Sequence, residues 1–383
     1  MSCILLKRLD TETWIGNIGY KMNKAEKTYL WFTSFVFLHY ERVQKLIELF
    51  GDVEDIFDKL ETKAELVQEI VGGVQNYNKM LFARDENFLQ SYINNLKNMN
   101  IEVVTQASAN YPKKLLQVEC PPFILFCKGN LKLLEANNGL AVVGTRRPTF
   151  YGRDITEKFC KVLCKNGFLL VSGMADGIDS IAHRTALENN EPTIAVLGGG
   201  FNHIYPASNL ELSKKIEENG LLVSEYPPSH NAKNYDFIKR NRIIAGLSKC
   251  VLIPEAGKTS GALHTKNYAL ETGREVFAIP GNVNSPMSEG TNNMIKTQHV
   301  ACATDPQDIL DYYEIAQNPI KMPKAPQLSL DQMLIRGMLE DGETDFETLQ
   351  EKTNLDTKTL NSCLTSMQIS GIIKKLPGNK FSL

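Results

Sequence analysis

The segment Leu140–Arg147, LAVVGTRR, joins a short apolar run to a glycine and two adjacent arginines. Similar apolar runs recur along the chain, and stretches with helical periodicity separate most of them. The runs are Phe168–Val171, Thr193–Leu197, Leu221–Val223, Cys250–Ile253 and Glu275–Ile279. Strands that alternate with helices in this way are typical of βαβ units.

The predicted strands are apolar at nearly every position, as expected of a parallel sheet that is covered on both faces. The helix predicted after the first strand has Ile155, Phe159 and Val162 at i, i+4 and i+7, and Gly167 marks its end. The sequence therefore predicts an α/β fold, a doubly wound parallel sheet with helices on both sides.

Glycine and small polar residues follow several of these strands, for example Gly144-Thr145-Arg146, Ser172-Gly173 and Gly198–Gly200. Ligands of doubly wound sheets bind at the carboxyl ends of the strands. Glycine lets backbone N–H groups approach an anion, and helix N-termini add partial positive charge. We therefore expect a crevice for phosphates at this edge of the sheet.

A basic run lies in the segment Phe237–Ser248, FIKRNRIIAGLS. Five residues between positions 233 and 249 are basic and one is acidic, although the whole chain has a formal net charge of -2. Lys239, Arg240 and Arg242 are therefore a local concentration of positive charge, which attracts phosphate.

Common nucleotide and catalytic motifs are missing from the sequence. Gly257-Lys258-Thr259 resembles the end of a phosphate-binding P-loop, but Leu252 stands where its first glycine belongs, and no G-x-S-x-G surrounds a serine. Asp179 and His183 are four positions apart and could form an acid/base pair on one helical face. The alternative is that Asp179 is the N-cap of the helix.

The eight cysteines lack C-x-x-C spacing and are predicted to be reduced. We predict no catalytic residue, cofactor or metal.

Six motifs in order resemble the DNA-processing protein A (DprA/Smf) family over about residues 111–311. They are Gly144-Thr145-Arg146 with Thr149–Gly152, Ser172–Asp179, Phe237–Ser248, Ser260-Gly261, Gly273–Gly281 and Gly290–Asn292. The resemblance implies an extended Rossmann-like domain that binds single-stranded DNA and passes it to a RecA-type recombinase. It also implies a homodimer without enzymatic activity.

The resemblance also implies which residues bind the DNA. Phosphates are expected at a basic pocket, with Phe237 either a platform for bases or a core aromatic that anchors its helix. The expected binding residues are Gly144, Thr145, Arg146, Ser172, Gly173, Phe237, Lys239, Arg240, Asn241, Arg242, Ser260, Gly261 and Lys266. On this basis we expect Arg146→Ala and Arg240→Ala to weaken binding without unfolding the protein.

Three positions depart from the family pattern. Asp176 stands where an arginine is usual, Ile238 replaces a usual proline, and Lys266 stands where an alanine is common. Lys266 either restores part of the lost charge or is an exposed helix lysine.

The chain outside the core, which we place at residues 101–315, divides into smaller parts. Residues 24–100 are mostly helical by pattern and resemble the small SAM-like domain that often precedes this core, and residues 1–23 form an extension. Three prolines within nine residues predict an extended linker over 316–327.

Residues 328–383 have the pattern of a winged-helix domain. The apolar positions at helical spacing are Leu330, Met333, Leu334 and Met338 in a first helix and Leu360, Leu364 and Met367 in a third. Thr344–Glu347 reads as a capping box before the second helix, and a hairpin is predicted around Pro377–Asn379. Six basic residues against eight acidic ones favour a partner or regulatory role over binding in a duplex groove.

The predicted function is therefore to bind and protect single-stranded DNA and to load a RecA-type recombinase during natural transformation and recombination. The alternative is a Rossmann-like enzyme that cleaves nucleoside monophosphates, with Glu225 or Glu255 as the catalytic carboxylate. We expect a cytoplasmic protein, because charged residues interrupt any apolar run near the N-terminus that could serve as a signal or a membrane span.

Overall fold

The computed structural model describes residues 22–35, 38–297, 300–315, 328–340, 342–370 and 372–383. These residues fall into two compact units, one within 22–315 and one within 328–383. The predicted extension over 1–23 lies almost wholly outside the described residues, and the predicted linker over 316–327 lies wholly outside them. The domain boundaries stay predictions. None of the described helices is long and apolar enough to cross a membrane.

The first unit begins with a group of α-helices. They are α1 (Lys24–Ser34), α2 (Tyr40–Phe50), α3 (Val53–Lys59), α4 (Ala64–Val71), α5 (Val74–Phe82) and α6 (Glu86–Asn98). Trp31 and Phe32 of α1 are fully buried. The rings of Tyr29 and Phe32 contact Phe123, which precedes a strand of the sheet. The helices therefore share a core with the sheet.

A nine-stranded sheet forms the body of this unit. Its strands are β1 (Glu102–Thr105), β2 (Ile124–Gly129), β3 (Gly139–Val142), β4 (Leu169–Ser172), β5 (Thr193–Leu197), β6 (Leu221–Ser224), β7 (Cys250–Ile253), β8 (Glu275–Ala278) and β9 (Ala301–Cys302). Its helices are α7 (Phe150–Lys165), α8 (Ile178–Glu188), α9 (Leu210–Asn219), α10 (Asn234–Gly246), α11 (Ala262–Glu271), α12 (Glu289–Lys296) and α13 (Pro306–Tyr312).

The strands lie in the order β1-β2-β6-β5-β4-β3-β7-β8-β9. Seven neighbouring strands of the sheet are parallel, namely β6, β5, β4, β3, β7, β8 and β9. Beyond β6, strand β2 runs antiparallel to β6, and β1 runs antiparallel to β2. The chain builds β3 to β6 toward one side and then crosses to place β7 on the other side of β3. This reversal is where doubly wound sheets bind ligands.

Each face of the sheet has its own apolar core. Along β3, Leu140 and Val142 pack with Phe159 of α7, whereas Ala141 packs on the opposite face with Ile244 of α10. This alternation follows from the period of two in a strand. The doubly wound α/β class is confirmed, and the six predicted strands correspond to β3–β8. The antiparallel pair β1–β2 and the short β9 were not predicted.

Helix α8 begins differently from the prediction that placed Asp179 at its N-cap. Gly177 is the capping residue, with φ 79°, and α8 starts at Ile178. The Asp179 carboxylate instead accepts a hydrogen bond of 3.0 Å from the Gly173 backbone N–H. Asp179 therefore ties the start of α8 to the end of β4.

The second unit contains α14 (Leu330–Glu340), β10 (Thr344–Asp345), α15 (Phe346–Thr353), α16 (Thr357–Ile369), β11 (Lys374–Leu376) and β12 (Lys380–Ser382). Its strands pair antiparallel in the order β10-β12-β11. The three helices and the hairpin around Pro377–Asn379 are present as expected, and the winged-helix assignment stays a prediction.

Helix α14 is present over the predicted positions, but two local features of this unit differ from the sequence pattern. The buried face of α14 carries Ile335 and Leu339, whereas Leu330 is 85% exposed. The apolar residues of α14 surround more than one face, so their spacing did not identify the buried one. The cap of α15 is Asp345, which accepts from Thr348 N at 2.8 Å, rather than Thr344.

Candidate nucleic-acid interface

A cavity of about 640 Å³ lies at the carboxyl ends of the parallel strands, where the order reverses between β3 and β7. Its walls come from the loop after β3, the start of α8, the loop after β5, one face of α10 and the loop from β7 into α11. Of the predicted binding residues, the ones that line it are Gly144, Thr145, Arg146, Phe237, Arg240, Asn241, Ser260 and Gly261.

The basic residues of α10 lie on different faces of the helix, beside two different cavities. Asn234, Phe237, Ile238 and Asn241 follow the i, i+3, i+4, i+7 spacing of one helical face and line the cavity. Lys239 and Arg242 lie on another face, where they line a smaller cavity of about 150 Å³ beside α2. Neighbouring basic residues are therefore separated by the helical period.

Arg242 is a buried partner of a glutamate rather than a residue of the larger cavity. Its Nη2 lies 2.6 Å from Glu225 Oε1, and its Nε donates to Cys120 O at 2.9 Å. Burial lowers the pKa of the Arg242 guanidinium, but the Glu225 carboxylate outweighs burial and the net pKa is raised. This charge is neutralised within the protein.

Arg240 forms the floor of the larger cavity and is only 5% exposed. Its Nη1 donates to Gly173 O at 2.6 Å and also to Val196 O. Burial lowers its pKa to about 10, while Asp179 opposes the shift, so Arg240 is charged at neutral pH. Arg240 thus joins the ends of two strands and places a guanidinium beneath the cavity, near the Asp179 carboxylate that also lines it.

Ser172 and Gly173 lie below this floor and do not line the cavity. The Ser172 hydroxyl donates to Val142 O at 2.6 Å, and the Gly173 N–H donates to Asp179. Both residues are buried. Their donors are therefore used to hold the strand ends together.

Arg146 is the exposed arginine at the rim. Its loop is held by Thr145, whose N–H donates to Glu255 O at 2.9 Å and whose carbonyl accepts from Ile178 N at 3.2 Å. A Cβ on Gly177 would lie 2.7 Å from the backbone carbonyl carbon of Arg146, so only glycine permits this approach. The loop is fixed and the guanidinium faces solvent.

The N-terminus of α11 forms the opposite wall. Ser260 and Gly261 precede its first residue, and Asn241 Nδ2 donates to Gly261 O at 3.5 Å. The Thr265 hydroxyl lines the cavity, is buried, and has no hydrogen-bond partner among the described residues. Lys266 is half-buried and does not line the cavity. This wall offers a helix N-terminus and an unused hydroxyl to an anion.

An aromatic pair forms the third wall. The rings of Phe237 and Tyr205 have centroids 5.3 Å apart, and Tyr205 is 58% exposed. A Cβ on Gly198 would lie 2.5 Å from the Phe237 ring, so the glycine makes room for it. Sequence reasoning did not find Tyr205, although an aromatic residue after the glycine run Gly198–Gly200 was a usable signal. Phe237 is both packed on its neighbours and open to the cavity.

The two glutamates considered for nucleotide cleavage are engaged elsewhere, whereas Asp179 lines the larger cavity and accepts from the Gly173 N–H at 3.0 Å. Glu255 accepts from the Thr149 hydroxyl at 2.6 Å and from Thr149 N at 2.8 Å, and Glu225 pairs with Arg242. His183 is fully buried and contacts Thr193. None of Glu225, Glu255 and His183 lines the larger cavity. Asp176 is exposed and accepts from the Ser208 hydroxyl at 3.0 Å.

A doubly wound sheet with a buried arginine in the cavity floor, an exposed rim arginine and an aromatic wall at the strand reversal defines a Rossmann-like protein suited to a phosphate-containing ligand. The model of the family "DNA recombination-mediator protein A" matches residues 102–314. This chain belongs to that family, as the six motifs predicted.

Relatives and solved structures agree with this assignment. The DNA processing protein DprA of Bacillus subtilis is 39% identical over 200 residues, which cover 52% of this chain and 67% of that protein. Protein Smf of Escherichia coli is 36% identical over 292 residues, covering 74% and 78%. The X-ray structure of DprA from Streptococcus pneumoniae superposes with a TM-score of 0.63 and 32% identity, covering 76% of this chain and 98% of that one.

A second solved structure concerns DNA processing protein A from Helicobacter pylori, whose description names a single-stranded DNA binding mode. It superposes with a TM-score of 0.51 and 31% identity, covering 56% of this chain and 95% of that one. Both superposed structures are therefore of DNA processing protein A.

Proposed function

We propose that this recombination-mediator chain binds single-stranded DNA in the larger cavity and loads a RecA-type recombinase onto it. The observation that carries the proposal is the meeting of Arg146, the N-terminus of α11 and the Phe237–Tyr205 pair around one open cavity. Cationic and N–H groups suit phosphates, and exposed rings suit base faces. The single-stranded DNA binding of the Helicobacter pylori relative supports the same ligand.

The aromatic wall favours single strands over duplex. A base can stack on Phe237 or Tyr205 only when it is not already stacked and paired within a helix. In the second unit, α16 has a single basic residue, Lys358, so it lacks the charge of a typical groove-binding helix. Single-stranded DNA is therefore the ligand that the described residues suit best.

The finer parts of the proposal come from the family. We extend to this chain a role in natural transformation, a cytoplasmic location and a homodimeric state, and we propose no catalytic activity. The engaged glutamates Glu225 and Glu255 support the absence of nucleotide cleavage. Stimulation of recombinase ATPase activity on single strands coated with a single-strand-binding protein tests the loading step.

The binding step is tested by fluorescence anisotropy with an oligonucleotide and with a blunt duplex of equal length over a range of salt concentrations. We expect tighter binding to the single strand than to the duplex. The affinity should fall as salt rises, because protein binding releases cations from the DNA and this release is less favourable at high salt concentration. Arg146→Ala should weaken binding about tenfold. It should also reduce the salt slope by about 1.

Arg336→Ala is the matched control, because Arg336 is an exposed helix arginine of the second unit. It should bind like the unmodified chain. Equal affinity for blunt duplex, or affinity that does not change with salt, contradicts the proposal.

A further inference from the structure

A second surface with aromatic and cationic residues begins where the rim of the larger cavity ends. The segment Arg146–Arg153, RRPTFYGR, contains three arginines and no acid, and all three arginines are exposed. Phe150 is 53% exposed and Tyr151 is 43% exposed. Single exposed apolar residues are ordinary, but two adjacent rings among three arginines match the composition of single-strand binding surfaces.

The backbone that carries these rings is held firmly. The Thr149 hydroxyl caps α7 by accepting a hydrogen bond from Gly152 N at 3.0 Å. The same hydroxyl donates to the Glu255 carboxylate at 2.6 Å. The Tyr151 phenol donates to Pro280 O at 2.7 Å. Phe150 is the first residue of the 16-residue helix α7. A base that stacks on Phe150 would therefore not have to order a loose loop.

This surface is close to the larger cavity. Arg146 lines the cavity, and Phe150 follows it by four residues, so their Cα atoms lie within about 14 Å of each other even for an extended chain. A strand that leaves the cavity past Arg146 can reach Phe150 within a few nucleotides.

We propose that Arg147, Phe150 and Arg153 form a second subsite, the Phe150 subsite, which binds the nucleotides that continue from the larger cavity. The ring of Phe150 takes a base, and the two arginines contact phosphates. The local charge favours a polyanion over an apolar protein partner, since Arg146, Arg147 and Arg153 outnumber the carboxylates that follow on α7, Asp154 and Glu157. This inference rests on the proposed binding of single-stranded DNA.

The test uses the full chain and thymidine oligonucleotides of two lengths, about 4 and about 12 nucleotides, within the range that single-strand binding domains cover. Phe150→Ala should weaken binding of the longer oligonucleotide at least about fivefold, the lower end of the effect of losing one stacked base. Binding of the shorter one should change little, because it fits in the larger cavity. Phe150→Trp should retain binding of both lengths.

Charge and shape controls separate the contributions. Arg147→Ala and Arg153→Ala should each lower the salt slope for the longer oligonucleotide by about 1 and leave the shorter one unchanged. Phe150→Leu keeps apolar volume without an aromatic face and should behave like Phe150→Ala, which keeps the test valid if the alanine variant folds poorly. Phe82→Ala removes another exposed phenylalanine, 67% exposed on α5, and should have no effect.

The outcomes distinguish this inference from the function on which it rests. If the unmodified chain binds neither oligonucleotide, the proposed function fails. If it binds both, and Phe150→Leu and Phe150→Ala bind the longer one as Phe82→Ala does, the Phe150 subsite is overturned. Normal DNA binding by the Phe150 variants with loss of self-association also overturns it, since the surface would then be a protein interface.

Discussion

At the scale of single residues, the basic run of α10 shows how a local charge can be divided. Arg240 faces the strand ends, Lys239 and Arg242 lie beside the smaller cavity, and only Arg240 underlies the larger one. The sequence predicted the cationic character of this segment. It did not predict that Arg242 is neutralised, because its partner Glu225 is 17 residues away and in contact only through the fold.

Burial of Arg240 changes what its removal should do. Arg240→Ala would leave Gly173 O and Val196 O without their donor, and Asp179 without a nearby positive charge. Loss of hydrogen bonds to a buried charged group costs about 3 kcal/mol. We expect the free energy of unfolding in urea to fall by about that amount, contrary to the expectation from sequence that the fold would be unaffected.

Arg146→Ala is the comparison for this measurement, because Arg146 is exposed and its removal should leave the unfolding midpoint unchanged. If Arg240→Ala loses DNA binding with full stability, Arg240 is a ligand contact and not a support of the strand ends.

At the scale of elements, His183 joins α8 to two strands. The Thr193 hydroxyl donates to Leu170 O at 2.8 Å, so its oxygen accepts from His183 Nδ1–H, also at 2.8 Å. His183 Nε2 is buried without a partner among the described residues. Burial, with the charge of Arg240, lowers the pKa of His183 to about 3 from an ordinary value of 6.5.

This neutral histidine should make stability depend on pH. Below pH 6.5 the unfolded chain binds a proton at His183 that the folded chain does not bind until about pH 3. The free energy of unfolding should therefore fall as pH decreases through this window, by up to about 1.4 kcal/mol per pH unit from this group. Urea unfolding between pH 7 and 5, where most carboxylates change little, measures the slope.

His183→Asn is the control variant, because its amide can still donate to Thr193 but does not titrate. Its stability should change less than that of the unmodified chain over the same range. Parallel curves for the two proteins would show that His183 is protonated in the folded state or does not contribute.

The elements also show what sequence patterns can and cannot determine. Six of the seven parallel strands, β3–β8, were predictable, because both of their faces are buried and their apolar runs are continuous. The direction of β2 was not, since an apolar run such as Ile124–Cys127 carries no information on its partner, β6. Tyr205 and the buried face of α14 were also missed, because loop position and helix rotation depend on tertiary contacts.

At the scale of the whole molecule, the candidate site is confined to the first unit. The residues that line the larger cavity all fall between Val143 and Met287. The formal net charge of -2 leaves no general attraction for polyanions, so binding depends on where the exposed cations are placed. Arg146 and the proposed Phe150 subsite are such places within the first unit.

Removal of residues 328–383 should therefore leave most single-stranded DNA binding intact. We expect the dissociation constant to stay within about threefold of the full chain, a difference below 1 kcal/mol, with an unchanged salt slope. Circular dichroism checks that the shortened chain is folded, and Arg146→Ala in the shortened chain should weaken binding as it does in the full chain. If the truncation abolishes binding while Arg146→Ala in the full chain binds normally, the DNA site belongs to the second unit and the cavity at the strand ends has another ligand.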